Sequence, residues 1–386
     1  MIARVRRYRS EEEAFSEWRR LGIAGPSPDQ VRSGMVFVYV EGEEEQLEKI
    51  IGAAEGRGAG ASLSLSGRRP KVLLYAPLSI LRDVGSSPRA TPVAHALDGY
   101  FSTRTPGIAL PAGWMDFGRP LVMGVLNITP DSFSDGGRFY GKDAAVKRGL
   151  EMAAEGADII DVGGESTRPG SQAVPAEEEL RRVIPIVEEL ASKLAVPISV
   201  DTRKPEVARA AMEAGASIIN DVMGLQDPEM SRVVGDTGAP IVLMHTLDDP
   251  AVMQNMVSPG TYEDVVGDIM WHWEERLKAA AEEGVLREQV IIDPGIGFGK
   301  LMEHNLEILR RGREFRSAGR PLLLGASRKG FIGKLTGEAP DRRLGGSLGA
   351  AAAAVLNGAD IIRVHDVRET ADMVRVLEAV GRPEIR

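Results

Sequence analysis

The chain has 386 residues, in which 47 lysines and arginines stand against 56 aspartates and glutamates, so the net charge is -9 at pH 7. That acidic balance argues against a nucleic-acid partner held by bulk charge, and a hydrophobic content of 43% excludes a wholly disordered chain. The absence of cysteine excludes disulfides, thiolate zinc sites and a cysteine nucleophile. The longest apolar run near the C-terminus, 350–356, is far below the roughly 20 residues that span a bilayer. We therefore expect a cytoplasmic protein with no membrane segment.

The first part of the chain has the pattern of a small α/β domain. Ser10 with Glu13 forms a capping box that predicts a helix, which Gly22 can end. Apolar spacing predicts the next elements, which are a strand over 35–40, a helix over 43–55 and a strand over 71–75. The glycine run 56–60 follows a helix and lacks the Gly-Lys-Ser/Thr of a phosphate loop, so we interpret it as a helix-to-strand turn.

A domain junction is predicted between about 85 and 118, where turn-forming residues occur without periodicity. We place the junction near residue 114. This predicts an accessory N-terminal α/β domain of open role over 1–114 and a second, catalytic domain over 115–386.

The second part is far more regular, because short apolar runs alternate with amphipathic stretches of helical length. The runs number eight and cover 121–128, 157–162, 197–200, 217–220, 240–244, 290–292, 321–325 and 361–364. Near-continuous apolar strands separated by helices indicate a parallel sheet that is buried on both faces. Eight such units are typical of a (β/α)8 barrel, with an open doubly wound sheet as the alternative.

Polar residues follow all eight predicted strands, at the end where such barrels build their active sites. Asp201, Asn220, Asp293 and Lys329 offer acceptors and donors that suit a flat heterocycle with adjacent N–H and C=O groups. Mutual salt bridges inside the barrel mouth are the alternative. A lone polar strand end is weaker support, and for Asp221, Thr202 and Glu165 we favour a role as helix caps.

Arg363, His365 and Asn127 predict a corner for an anion and a metal. Arg363 and His365 are two residues apart on the last strand, so they point to the same side. A guanidinium can donate two hydrogen bonds to one phosphate, and the neutral side-chain oxygen of an asparagine is a suitable ligand for magnesium. A structural role for Arg363 is the alternative.

Other chemistries find little support in the sequence. It has no defensible Ser/His/Asp arrangement and no zinc-binding His spacing. His95 lies in the predicted junction, and we expect His272 and His304 to be surface or packing residues within helices. The loops after the first two strands are rich in turn residues and are therefore candidate mobile lids.

Six motifs together resemble dihydropteroate synthase, over about 118 to 386. They are 127–137 (NITPDSFSDGG), 161–170 (DVGGESTRPG), 198–202 (ISVDT), 293–300 (DPGIGFGK), 327–333 (SRKGFIG) and 363–367 (RVHDV). The resemblance implies a (β/α)8 barrel that condenses 6-hydroxymethyl-7,8-dihydropterin diphosphate with 4-aminobenzoate. The products would be 7,8-dihydropteroate, for folate synthesis, and diphosphate.

The resemblance also implies roles for individual residues. Asn127 would bind Mg²⁺ and the diphosphate. The diphosphate would also be bound by Thr167, Arg363 and His365. The pterin ring would be bound by Asp201, Asn220, Asp293 and Lys329. The resemblance places Ser327 at the aminobenzoate carboxylate and Phe133, Asp135 and Arg168 on loops that close over the substrates. It further implies a carbocation-like displacement, sulfonamides as inhibitors and a homodimer. The competing hypotheses are a pterin methyltransferase of the methyltetrahydrofolate type and a non-catalytic pterin-binding protein.

Overall fold

The computed structural model describes residues 1–27, 31, 35–102, 105–128, 138–165, 174–247 and 253–381. The chain divides into two compact units. The first comprises 1–105, 262–274 and 313–320, and the second comprises 106–261, 275–312 and 321–386. None of the described helices combines the length and apolar content that crossing a bilayer requires.

An antiparallel four-stranded sheet forms the centre of the first unit, in the order β1-β2-β4-β3. Its strands are β1 (Ile2–Arg6), β2 (Val36–Glu41), β3 (Gly60–Ser64) and β4 (Lys71–Ala76), and its N-terminal helices are α1 (Glu11–Arg20), α2 (Glu44–Glu55), α3 (Leu78–Gly85) and α4 (Thr91–Phe101). Alternate residues of β2 enter different cores, since Val38 and Val40 pack with α2 and α3 while Phe37 and Tyr39 pack with Trp18 of α1. Both faces of the sheet are therefore buried.

Sequence reasoning was correct for α1, β2, α2 and β4 and missed other elements of this unit. Ser10 caps α1 as predicted, accepting from the Glu13 amide at 3.2 Å, although the Glu13 carboxylate accepts from Arg9 rather than from Ser10. The predicted junction contains helix α4, because Pro92 occupies the first turn, where proline starts a helix instead of breaking one. Residues 56–58 form the predicted turn before β3.

Strand β1 escaped prediction because two of its five residues are arginines, yet every residue in it is buried. Within the first unit, Arg4 is 1% exposed and pairs with Asp264 and, at 2.9 Å, with Glu314. Arg6 pairs with Glu17 at 2.8 Å and with Glu314 at 3.1 Å. Burial of these cations is possible because each one meets buried carboxylates.

The second unit is the predicted barrel. Its strands are β7 (Leu121–Asn127), β8 (Ile159–Gly163), β9 (Ile198–Asp201), β10 (Ile218–Asp221), β11 (Ile241–Met244), β12 (Val290–Asp293), β13 (Leu323–Leu324) and β14 (Ile361–Val364). Neighbouring strands are parallel in the order β12-β11-β10-β9-β8-β7-β14-β13, and a parallel bridge between Ile292 and Leu322 closes the ring. The eight-stranded prediction is confirmed, and each strand bound differs by at most two residues.

The remaining helices follow the barrel strands along the chain, and two of them, Val265–Glu282 and Met302–Phe315, contain residues of both units. The remaining helices are α5 (Arg138–Glu155), α6 (Ala176–Lys193), α7 (Pro205–Glu213), α8 (Pro228–Thr237), α9 (Met253–Met256), α10 (Val265–Glu282), α11 (Met302–Phe315), α12 (Gly330–Thr336), α13 (Leu344–Leu356) and α14 (Val367–Gly381). A short hairpin of β5 (Ile108–Leu110) and β6 (Gly113–Met115) precedes β7.

An apolar layer fills the barrel interior below the strand ends. It contains side chains from seven strands and the hairpin, including Met123, Ile159, Ile218, Ile291 and Ile361. Two residues further along four of these strands, the same inward positions carry Asp161, Asn220, Asp293 and Arg363. The barrel thus has an apolar floor with a polar layer directly above it.

Substitution of Arg4 by Met should lower the free energy of unfolding by about 3–5 kcal/mol, because Asp264 and Glu314 would stay buried without their cation. Lys49→Met removes a surface cation that pairs with Glu45 in the same unit. This substitution should change the free energy of unfolding by less than about 0.5 kcal/mol. Urea denaturation followed by circular dichroism measures both. Equal stability of the two variants would contradict a structural role for the buried pairs.

Candidate active site

A cavity of about 630 Å³ opens at the C-terminal ends of the barrel strands. Six of the residues predicted from the sequence line it, namely Asn127, Asp201, Ser327, Lys329, Arg363 and His365. Asn220 and Asp293 belong to the same polar layer but are only 4% and 6% exposed. Residues that are far apart in the sequence therefore meet at one end of the barrel.

Two buried carboxyl groups of this layer have unusual acidities. The pKa of Asp201 is raised to about 7, chiefly by burial and also by the nearby Asp161, against the opposing effect of Arg363. Burial raises the pKa of Asp293 to about 6, although the Gly295 amide donates to this carboxylate at 2.7 Å. Both groups therefore change charge near neutral pH.

Arg363 points into the polar layer, where it binds two carboxylates. Its Nε donates to Asp161 Oδ2 at 2.6 Å and its Nη2 donates to Asp201 Oδ2 at 2.5 Å. These two carboxylates hold the pKa of Arg363 above its usual range despite burial. The sequence assigned an anion to this residue, with a structural role as the alternative, and left Asp161 out of the site, so the ion pair with Asp161 is a feature that only the structure shows.

His365 is paired with Ser327 at the mouth of the cavity. The Ser327 hydroxyl lies 3.0 Å from His365 Nδ1 and also accepts from the His365 amide at 3.3 Å. The pKa of His365 is lowered to about 4, chiefly by burial and also by the neighbouring Arg363 and Arg328. The ring is therefore neutral at pH 7 and can offer a hydrogen bond to an anion but no positive charge.

Lys329 is held by an aromatic ring and a close glycine. Its Nζ lies 4.3 Å from the centroid of the Phe298 ring. A Cβ at Gly297 would stand 3.3 Å from Lys329 Cδ, so the missing side chain leaves room for the lysine. The preceding residue, Arg328, has a φ of 58°, a left-handed conformation at the turn between Ser327 and Lys329.

The spacing of glycines in 293–300 has a backbone cause. Gly295, Gly297 and Gly299 all have positive φ values, of 66°, 83° and 60°. A Cβ at Gly295 would lie 2.1 Å from the carbonyl oxygen of His245, which no side chain tolerates. The motif therefore marks a loop that turns back on the end of β11.

A buried lysine stabilises this loop. Lys300 is 3% exposed, and its Nζ donates to the Phe298 carbonyl at 2.9 Å and lies 2.9 Å from His245 Nδ1. Burial lowers the pKa of Lys300 to about 7. Sequence reasoning did not assign a role to Lys300, and its place at the end of the glycine-rich motif was the available signal.

The three residues expected to cap helices instead accept hydrogen bonds within turns or pair with basic side chains. Asp221 accepts from the amides of Met223 and Leu225, at 2.8 and 2.7 Å, while the next helix is capped by Asp227. Thr202 accepts from the Lys204 amide at 3.2 Å. Glu165 pairs with Arg203 at 3.1 Å and with Lys204. Their structural role stands, but the helix-cap assignment was wrong.

Four predicted loop residues, Phe133, Asp135, Thr167 and Arg168, lie outside the described residues. Within the described ranges, no group of three or more His, Asp or Glu side chains is arranged to bind a metal ion. Asn127, at the end of β7, lines the cavity and has one neutral side-chain oxygen that could bind a metal ion.

The family profile described as "Pterin binding enzyme" matches residues 123–365. Dihydropteroate synthase of Escherichia coli strain K12 is 48% identical over 265 residues, which is 69% of this chain and 93% of that enzyme. A structure of Xanthomonas albilineans dihydropteroate synthase with 4-aminobenzoic acid matches with a TM-score of 0.67 and 47% identity, over 72% of this chain and 98% of that one. A Yersinia pestis dihydropteroate synthase with a sulfonamide drug matches with a TM-score of 0.67 and 41% identity, over 72% and 99% of the two chains.

These matches cover the barrel and its polar layer, and they agree with the six motifs found in the sequence. The chain belongs to the dihydropteroate synthase family of pterin-binding enzymes, transferases that make dihydropteroate for folate synthesis.

Proposed function

We propose that the residues around the barrel cavity divide the dihydropteroate synthase reaction into three tasks: holding the pterin, receiving the departing diphosphate and placing the amine of 4-aminobenzoate. The observation that carries this proposal is that Asp201 of the buried polar layer lines the same cavity as Arg363, His365 and Ser327. A flat ring that binds through Asp201 would lie within reach of all three.

The pterin ring meets Asp201, Asn220, Asp293 and Lys329. Ionised carboxylates accept hydrogen bonds from the ring N–H and amino groups, and Lys329 donates to a ring carbonyl or nitrogen. Because the ring is electron-rich, it stabilises positive charge at its methylene carbon when the bond to diphosphate breaks. The site therefore favours a carbocation-like displacement.

The departing diphosphate meets Arg363 and neutral His365. The carbon–oxygen bond breaks with its electron pair on the diphosphate, whose charge the guanidinium and the imidazole N–H stabilise. Asn127 fits as a ligand to magnesium, because Mg²⁺ binds one or two side-chain oxygens and completes its shell with water and substrate phosphates. When bound, the ion would supply further positive charge to the leaving group.

The amine of 4-aminobenzoate then forms the new carbon–nitrogen bond and loses a proton to solvent. Ser327 is proposed to bind its carboxylate, while Phe133, Asp135, Thr167 and Arg168 are proposed from the resemblance alone to complete the substrate sites. A strong general base is unnecessary, since the arylammonium formed by the attack is acidic. Positioning is the main contribution of the protein to this step.

We also propose a homodimer, a cytoplasmic location and an accessory role for the N-terminal domain, 1–114. The homodimer is supported by exposed apolar side chains on the last helices of the barrel, since Leu356, Val376 and Val380 are 68%, 62% and 78% exposed. The cytoplasmic location is consistent with an acidic, cysteine-free composition. For the N-terminal part, the buried pairs of Arg4 and Arg6 support a structural contribution.

Diphosphate release from pterin diphosphate and 4-aminobenzoate, with and without magnesium, tests the function directly. Arg363→Ala should lose about 2–4 kcal/mol of transition-state stabilisation, measured as kcat/KM for the pterin substrate. The variant should also be less stable, because Asp161 and Asp201 lose their shared cation. Arg375→Ala, which removes an exposed cation of α14, is the matched control. Near-normal kcat/KM in Arg363→Ala would remove Arg363 from the anion site.

Pterin binding should strengthen as the pH rises, because the ionised form of Asp201 is the one that accepts the ring donors. With a pKa of about 7, the ionised fraction falls about tenfold between pH 8 and pH 6, and the affinity should fall with it. Calorimetric titration with 6-hydroxymethylpterin measures this. Asp201→Asn should bind more weakly and keep only the smaller pH dependence of Asp293. An unchanged slope in that variant would place the titrating group elsewhere.

A sulfonamide should bind measurably only when diphosphate and magnesium are both present. The physical reason is that Ser327, proposed to bind the aminobenzoate carboxylate, is hydrogen-bonded to His365. An anion bound at His365 would therefore fix the hydrogen bonding of that histidine before Ser327 binds the carboxylate. Titrations with neither ligand, with each one and with both separate their contributions. Equally tight binding to the free enzyme would show a preformed pocket, and binding with diphosphate alone would remove the magnesium requirement.

A further inference from the structure

Asp161 is a buried acid that the reaction scheme above does not use. It lies on β8, is 0% exposed and does not line the cavity. Its Oδ2 accepts from two groups at once, Arg363 Nε at 2.6 Å and Asn220 Nδ2 at 3.2 Å. One carboxylate oxygen therefore joins a residue of the pterin site to a residue of the anion site.

The contact with Asn220 decides which end of that amide faces the ligand. A carboxylate only accepts hydrogen bonds, so the NH₂ group must point at Asp161 and the carbonyl oxygen must point away from it. Asn220 is 4% exposed and has little room to present its amide differently. Asp161 thereby makes Asn220 an acceptor toward the donor groups of the ring.

The contact with Arg363 decides which edge of the guanidinium faces the cavity. Nε and Nη2 form one edge, and both are engaged, by Asp161 and Asp201. Neither hydrogen bond uses Nη1, so the other edge, formed by Nη1 and the second Nη2 hydrogen, is left toward the cavity that Arg363 lines. That edge has the geometry for a two-point contact with an oxyanion.

The second oxygen of Asp161 indicates that this acid is not placed for stability alone. Oδ1 is buried and has no hydrogen-bond partner among the described residues, and a buried acceptor without a donor is unfavourable. Ser199 is the register partner of Asp161 on β9, and its hydroxyl does not compensate, since it is likewise buried without a partner in the described structure.

We propose that Asp161 is a positioning residue, which orients the amide of Asn220 toward the pterin ring and the guanidinium of Arg363 toward the leaving diphosphate. This proposal rests on the proposed function of those two residues and deepens it. Asp161 itself touches neither substrate. Its effect is to align the ring site and the anion site on one molecule of pterin diphosphate.

The decisive experiment is a double-mutant cycle of Asp161→Asn and Asn220→Ala, with kcat and KM measured for both substrates. Asp161→Asn should lower kcat/KM for pterin diphosphate by about 30-fold or more, while KM for 4-aminobenzoate changes by less than about twofold. Each variant alone should weaken the binding of 6-hydroxymethylpterin, and the double variant should bind no more than about threefold worse than Asp161→Asn.

Ser199→Ala is the matched control, because it removes the neighbouring buried polar group that makes no hydrogen bond. It should keep both KM values and kcat within about twofold. A merely structural role for Asp161 would lower the active fraction, and hence kcat, with KM unchanged, and the two substitutions would be additive. Either result would overturn the proposal. Failure of the wild-type protein to form dihydropteroate would instead refute the proposed function.

A measurement on the wild-type protein keeps the proposal testable if Asp161→Asn does not fold. The ¹⁵N-labelled Arg363 Nε–H resonance, identified by its loss in Arg363→Lys, should be protected from solvent exchange in the free enzyme. Addition of diphosphate and magnesium should shift the Nη resonances and leave Nε–H in place. A change in the Nε–H resonance on addition of diphosphate would show that the anion binds the edge assigned to Asp161. That result would overturn the proposal.

Discussion

A guanidinium held between two buried carboxylates is the interaction on which this site depends. Arg363 on β14 reaches past β7 to Asp161 on β8 and Asp201 on β9. Without the cation, the two carboxylates in the same buried layer would repel each other. With it, Asp201 retains a pKa near neutrality, and the free edge of the guanidinium is directed to the cavity. In the proposed function, ring recognition and anion recognition therefore share one electrostatic arrangement.

The loops around this layer add rigidity through the backbone. Three left-handed glycines let 293–300 fold back on β11, and Lys300 anchors the turn through carbonyl oxygens and His245. The same loop supplies Phe298, whose ring faces the ammonium of Lys329. Lys329, which we propose to bind the pterin ring, is thus positioned by a segment whose conformation depends on glycine.

Buried charge serves a different purpose in the first unit. There Arg4 and Arg6 meet Asp264, Glu17 and Glu314 at close range. Removing one partner from such a cluster is costly, although its net contribution to stability is small. In the barrel, by contrast, neither carboxylate contact of Arg363 uses Nη1, and we propose that this edge binds a substrate.

The barrel, and the position of several candidate site residues at its mouth, were predictable from the sequence. Each buried parallel strand appears as an apolar run, and the polar residue that ends it must lie at the mouth of the barrel, as Asp201, Asn220 and Asp293 do. In the first unit, β1 was not predictable, because its two arginines look exposed until their partners from 262–274 and 313–320 are placed beside them. The direction of Arg363 and the part played by Asp161 were also decided only by the tertiary structure. A hydrogen bond between strands depends on register and side-chain orientation, and neither is written in the local pattern of residues.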